Sequence, residues 1–110
     1  MATPVYIIEG DPDDTFTMDS SNVSQGIAAA KYENADEVPI KSLLVTVEDN
    51  DIRVAFDIAA VVDGAGELGH VIKDEDGLQI LGNDACKEFQ FISKVTDSHA
   101  KLMLTPFYHA

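Results

Sequence analysis

Between Ile52 and Tyr108 the chain alternates apolar and polar residues in short runs, each cut by a turn that carries Gly or Asp. Successive side chains on a strand point to opposite faces, so such alternation describes a sheet buried on one side. The runs are Ile52-Arg53-Val54-Ala55-Phe56-Asp57, a Gly-rich bend ending in Gly69-His70-Val71, then Gly77 to Gly82, Cys86 to Ile92 and His99 to Tyr108. Strands at this spacing, with turn signals between them, predict an antiparallel sandwich or barrel. Six to eight strands fit the length.

The remaining segments add to this frame. Ile40 to Glu48 is rich in branched residues and reads as a further strand. Glu48-Asp49-Asn50-Asp51 behind it reads as a tight turn, because Asp and Asn tolerate the left-handed backbone that short hairpins need. Val23 to Lys31, with three consecutive alanines but also Gly26, reads as a strand or a one-turn helix. Glu33 to Pro39 reads as a solvated loop. In the final run Leu102, Leu104 and Pro106 share one face, while Lys101, Met103, Thr105 and Phe107 share the other. Proline cannot donate to a ladder, so the Pro106 end is expected at a sheet edge. Residues 58–67, with Gly64 and Gly66, read as a loop or an excursion.

Residues 1–22 differ in character from residues 23–110. Val5-Tyr6-Ile7-Ile8 is strand-like, Glu9 to Asp14 is an acidic turn, and Thr15-Phe16-Thr17-Met18 alternates again. They are expected to form an N-terminal arm or the first hairpin of the sheet. The fold class expected is therefore all-β: a small antiparallel β-sandwich, jelly-roll or Ig-like, with an N-terminal arm.

Charge narrows the partners. Twenty acidic residues against seven basic ones give the 110-residue chain a net charge of −13. Nucleic acids and anionic membranes both require clustered Lys and Arg, so neither is expected as a partner. Cys86 is the only cysteine, so no intrachain disulfide is possible, and packing must hold the fold. The first fourteen residues show no basic, apolar pattern of a signal peptide. No run approaches the roughly 20 apolar residues of a membrane span. The core available to a chain without Trp is modest, and a homo-oligomer is expected to supply further burial.

Acidic pairs at glycosidase separations arise by chance among so many turn aspartates. Asp11-Asp13-Asp14, Asp49-Asp51 and Asp74-Glu75-Asp76 offer oxygens to a hard cation, yet none has EF-hand spacing. His70, His99 and His109 lie far apart and lack the short-spaced pair of a zinc site. His70 is expected at a turn or sheet edge, and His109 in solvent or against a partner. Ser98 and His99 are neighbours on an extended chain and point to opposite faces, so they do not pair as nucleophile and base. Cys86 reads as a buried structural thiol. Asp63 to Gly69 superficially resembles a dinucleotide loop, but no helix follows it. The expectation is no catalytic residue, no cofactor, no metal and no enzyme.

The strand order also carries a resemblance. Ile52-Arg53-Val54-Ala55-Phe56-Asp57, Gly69-His70, Gly77-Leu78-Gln79-Ile80, Phe89-Gln90-Phe91-Ile92 and Leu102 to Tyr108 resemble, in sequence and order, small virion structural proteins of tailed bacteriophages. The resemblance covers about half of the chain firmly and residues 23–48 loosely, and it does not cover the first twenty. It implies a β-sandwich located in the virion and assembled in the host cytoplasm. The implied role is a capsid decoration or cement protein, bound to the major capsid protein or other virion proteins. Where the family has an Asp-Gly-Thr/Ser-x-Pro-Thr stretch, this chain has Asp57-Ile58-Ala59-Ala60-Val61-Val62. Val5, Tyr6, Ile7 and Ile8 in the arm and Phe107 and Tyr108 at the far end are the expected partner-binding residues. The alternatives are a tail, neck or fibre component, which binds a receptor or glycan, and a small calcium-binding adhesion module.

Overall fold

Two antiparallel sheets face each other in the computed structural model, which describes residues 10–58, 60 and 68–109. The larger sheet uses β1 (Asp11–Pro12), β2 (Phe16–Asp19), β3 (Ile40–Glu48), β6 (Gly77–Leu81) and β8 (Lys101–Tyr108). Its order is β1-β8-β3-β6, with β2 also on β8. The smaller sheet is β5-β4-β7, from His70–Ile72, Ile52–Phe56 and Phe89–Ser93. This is the small all-β sandwich that the alternation predicts. The strands of the resemblance all belong to it.

Strand β3 is the spine. A register shift against β8 falls between Ile40 and Ser42, so Lys41 is the extra residue of a bulge. The bulge resets the alternation: Ile40 and Leu43, three apart, both lie fully buried in the core with Val45 and Val47. On β8 the expected faces hold, with Leu102, Leu104 and Pro106 buried and Lys101 exposed. Phe89 and Phe91 of β7 stack with ring centroids 5.6 Å apart at the centre of the core.

Several expectations are corrected. The acidic turn 48–51 contains the left-handed Asp49 (φ 78) but closes no hairpin. It carries the chain across the sandwich, from β3 in one sheet to β4 in the other. The Cys86 to Ile92 run is not one strand. Asn83–Glu88 is a short helix, α1, entered from Gly82 at φ 102, and β7 starts only at Phe89. Asp84 in the first turn and Lys87 in the last suit the helix dipole. Val23 to Lys31 forms an isolated bridge at Gln25 and a 3-10 turn over Ala29–Lys31. The expected acidic turn before Thr15 includes strand β1. Residues 11–12 and 16–19 pair with β8 and so belong to the larger sheet.

Pro106 does not lie at an edge. It pairs with Leu43 in the middle of the larger sheet, and its carbonyl accepts the Asp13 N–H at 3.0 Å. A residue's N–H and C=O point to the same side of a strand. The missing donor thus faces β1 and β2 where residues 13–15 interrupt their ladder. A gap in the neighbouring strand has the same effect as an edge.

Candidate interaction surface

The smaller sheet has two flanks, and their backbone groups can be traced. The Lys94 N–H donates to the Asp51 carbonyl at 3.1 Å, so in the β4–β7 register Asp51 and Lys94 form a hydrogen-bonded pair. Alternation then turns Arg53 and Ala55 toward β7 as well. Phe91 and Ser93 point away from β4, and that flank is closed: Phe91 and Gln25 exchange both backbone bonds (2.8 and 3.0 Å), and the Ser93 N–H reaches the Ser21 carbonyl at 3.0 Å. On the other side Ile52 and Val54 face their partners Ile72 and His70. Val71, between those two, directs its N–H and C=O outward. Among the described residues no strand pairs with that flank of β5.

Apolar surface collects beside that edge. Phe56 is 39 % exposed, Ile58 58 %, Leu68 40 % and Val71 39 %. Val54 to Phe56, Ile58, Leu68 and His70 line a shallow groove of about 350 Å³. Gly69 lets the chain approach β4 there. It has φ 129, and a Cβ would stand 3.0 Å from the Val54 carbonyl oxygen and 3.1 Å from the Arg53 Cβ. Clustered apolar surface of this kind marks places where another chain docks, whereas single exposed apolar residues are ordinary. Phe56 departs from the alternation. Period two puts it on the face of Ile52 and Val54, yet it is exposed while Ala55 is buried.

The acidic end of the sandwich is structural. The Asp51 carboxylate accepts the Asp74 N–H at 2.7 Å and so ties the cross-sheet turn to the β5–β6 turn. Asp49 and Glu75 both hold left-handed backbone. Among the described residues no three His, Cys, Asp or Glu side chains converge as a metal site.

A polar clasp that sequence reading missed pins the two sheets together. Ser20 Oγ lies 2.6 Å from Ser93 Oγ, and Ser93 Oγ lies 2.8 Å from His99 Nδ1. The Ala100 N–H donates to Ser20 Oγ at 2.7 Å. His99 therefore does meet a serine, but Ser93 and not the adjacent Ser98. Ser93 has no exposed surface, so no substrate reaches its oxygen. The partners are 73 and 6 residues from Ser93, and no local pattern announces the longer link.

The remaining expected residues divide. Cys86 is fully buried, its thiol donates weakly to the Ile80 carbonyl, and burial pushes its pKa from 9.0 up to about 12. His70 stands exposed on the β5 edge strand, and His109 is exposed after β8. Phe107 and Tyr108, expected as aromatic anchors for a partner, are a correction: they are 4 % and 2 % exposed. Tyr108 belongs to the core, and its hydroxyl donates to the Lys31 carbonyl at 2.9 Å. Burial, and to a lesser extent the nearby Asp13 carboxylate, raises the Tyr108 pKa. Neither ring has surface to offer, whereas Phe56 beside the groove is partly exposed. Val5, Tyr6, Ile7 and Ile8 lie outside the described residues, as does most of the 58–67 loop. Among the described residues no helix is long and apolar enough to cross a membrane.

What the described residues define is an all-β sandwich module with an exposed apolar groove beside β5. No family model, curated protein or solved structure matches the chain.

Proposed function

We propose that this chain is a non-enzymatic structural protein of a tailed-phage virion, a capsid decoration or cement protein that binds the assembled head and stabilises it. The observation that carries the reading is the exposed apolar groove beside β5, in a sandwich whose strand motifs resemble those virion proteins in order. The physical logic is mass action. A protein that binds the assembled lattice and not its separate subunits shifts the equilibrium toward the lattice. Many identical weak sites on one particle add up through multivalency.

Adhesion of this kind needs a rigid scaffold and a docking line. The buried core of β3, β7 and β8 supplies the first. The Val71 backbone groups and the Phe56–Ile58–Leu68 surface supply the second, in the manner of strand addition to a sheet edge. A surface charge of −13 keeps unbound copies soluble and favours a lattice face carrying basic residues.

The test is co-sedimentation of purified protein with heads assembled without it. The reading predicts saturable binding at hundreds of copies per head, and heads that resist heat or chelator better when coated. Saturation at a few to tens of copies points instead to a tail or neck position. Equal binding to dissociated capsid subunits, or none to heads, contradicts the proposal.

A further inference from the structure

We infer that the clasp of Ser20, Ser93 and His99 is an acid-sensitive latch, which closes on the neutral His99 ring and opens when that ring is protonated. The inference rests on these side chains alone and not on the virion reading.

Counting hydrogens gives the clasp a direction. The Ala100 N–H donates to Ser20 Oγ, so that oxygen already accepts one hydrogen bond. Two contacts remain, Ser20 Oγ to Ser93 Oγ at 2.6 Å and Ser93 Oγ to His99 Nδ1 at 2.8 Å. A neutral ring whose Nδ1 carries no hydrogen is an acceptor there. Ser93 then donates to Nδ1, Ser20 donates to Ser93, and every hydroxyl hydrogen is used. The imidazolium has a hydrogen on each ring nitrogen, so it offers Ser93 a donor however the ring is turned. The two hydroxyl hydrogens then compete for the single contact between the serines, and one of them has no acceptor. Among the described residues these oxygens have no further partner. Ser20 and Ser93 are 2 % and 0 % exposed, so water does not supply one. A buried hydroxyl left without its acceptor carries the full cost of its lost hydration.

The ring itself is exposed, so protons from solvent reach it. Histidine is the side chain whose charge ordinarily changes between about pH 5 and 8. The segments around the clasp bring charge of both signs. Asp97 and Lys101 lie on the histidine's own segment, and Asn22 donates to the Asp97 carboxylate at 2.8 Å. Lys94 follows β7, and Asp19 at the end of β2 stands opposite Lys101. The 48–51 turn brings Glu48, Asp49 and Asp51, and its Asn50 side chain donates to the His99 carbonyl at 2.8 Å. These carboxylates attract an imidazolium, but none accepts a hydrogen from either serine. The latch therefore contributes fully above the histidine range, and its contribution is lost as the pH falls through that range. It joins the end of β2 in the larger sheet to the end of β7 in the smaller one, and acid loosens that corner of the sandwich.

Nuclear magnetic resonance and melting curves of the full chain, with two variants, test this. At about pH 8 the His99 ring should carry its hydrogen on Nε2. On lowering the pH to about 5, protection of the Ala100 amide from hydrogen exchange should fall on the order of tenfold, the factor that one unmade buried hydrogen bond represents. Ser93→Ala and His99→Gln each leave nothing for the ring proton to disrupt. Relative to both variants, the parent chain is expected to lose melting temperature between the higher and the lower pH. His70, His109 and the carboxylates are common to all three chains and cancel in that comparison. If Ser93→Ala does not fold, His99→Gln, at an exposed position, still decides. A hydrogen on Nδ1 at the higher pH, unchanged protection of Ala100, or a melting difference that stays constant or moves in favour of the parent overturns the inference.

Discussion

The two flanks of the smaller sheet are built from similar residues and end in opposite conditions. β7 presents Phe91 and Ser93 outward and has both bonded by the segment after β2. β5 presents Val71 outward, and no described residue outside β4 bonds to its backbone. Natural sheets usually blunt an exposed strand edge with proline or charge. His70-Val71-Ile72 carries neither proline nor an Asp, Glu, Lys or Arg, although Lys73 follows directly. The contrast teaches where this molecule places its stability and where it keeps surface: the β7 flank holds the sandwich together, and apolar side chains stay exposed beside the β5 flank.

Substitutions on the two flanks sharpen the contrast. Phe91→Ala removes a fully buried ring from the β7 side and is expected to cost about 3–5 kcal/mol in urea denaturation. Val71→Ala on the β5 side is expected to stay within about 0.5 kcal/mol, as ordinary surface changes do. Equal costs would erase the distinction.

Ser93→Ala probes the closed flank by its polar clasp. It leaves Ser20 Oγ and His99 Nδ1 without their shared partner, and an expected loss of about 1–3 kcal/mol follows from the unsatisfied buried hydroxyl. The same urea titration measures it. A neutral result would mean that water replaces the serine and that the clasp is not a structural pin.

Cys86→Ala gives a smaller shift, about 1 kcal/mol at neutral pH, from the lost sulfur contacts. Its pH signature is more specific. Burial raises the thiol pKa, so the folded state keeps a proton that the unfolded chain releases. That contribution is complete below pH 9 and declines as the pH rises toward about 12. Tyr108, also raised, adds to the same alkaline loss, beginning near its ordinary value of 10. The alanine variant should show a shallower alkaline decline in melting temperature than the parent chain. An unchanged slope would place the proton release elsewhere.

Much of the sandwich was legible because alternation is a local property. The bounds of β3 and the faces of β8 follow from branched residues and period two. What alternation cannot report is which strand lies alongside. The turn 48–51 has hairpin chemistry, yet β3 finds its partners in β6 and β8, and Asp51 ties the turn to Asp74 instead. α1 was hidden because six residues leave too short a pattern to separate from the strand that begins at Phe89. The surface was read least well. Phe107 and Tyr108 at the chain's end resemble free anchors, but β8 lies between β3 and the β1–β2 flank, and that position buries both. Phe56 shares the face of Ile52 and Val54 by period, although its strand ends there and its residue lines the surface groove.

Amide hydrogen exchange at Val71 tests the asymmetry of the two flanks most directly, with Phe91 and Ser93 as internal standards. In dilute protein, the Val71 amide is predicted to exchange near the rate of an unprotected peptide, while Phe91 and Ser93 exchange slower by orders of magnitude. Val71 protection equal to that of Phe91 would show that the β5 edge is already closed within one copy, and would contradict the account.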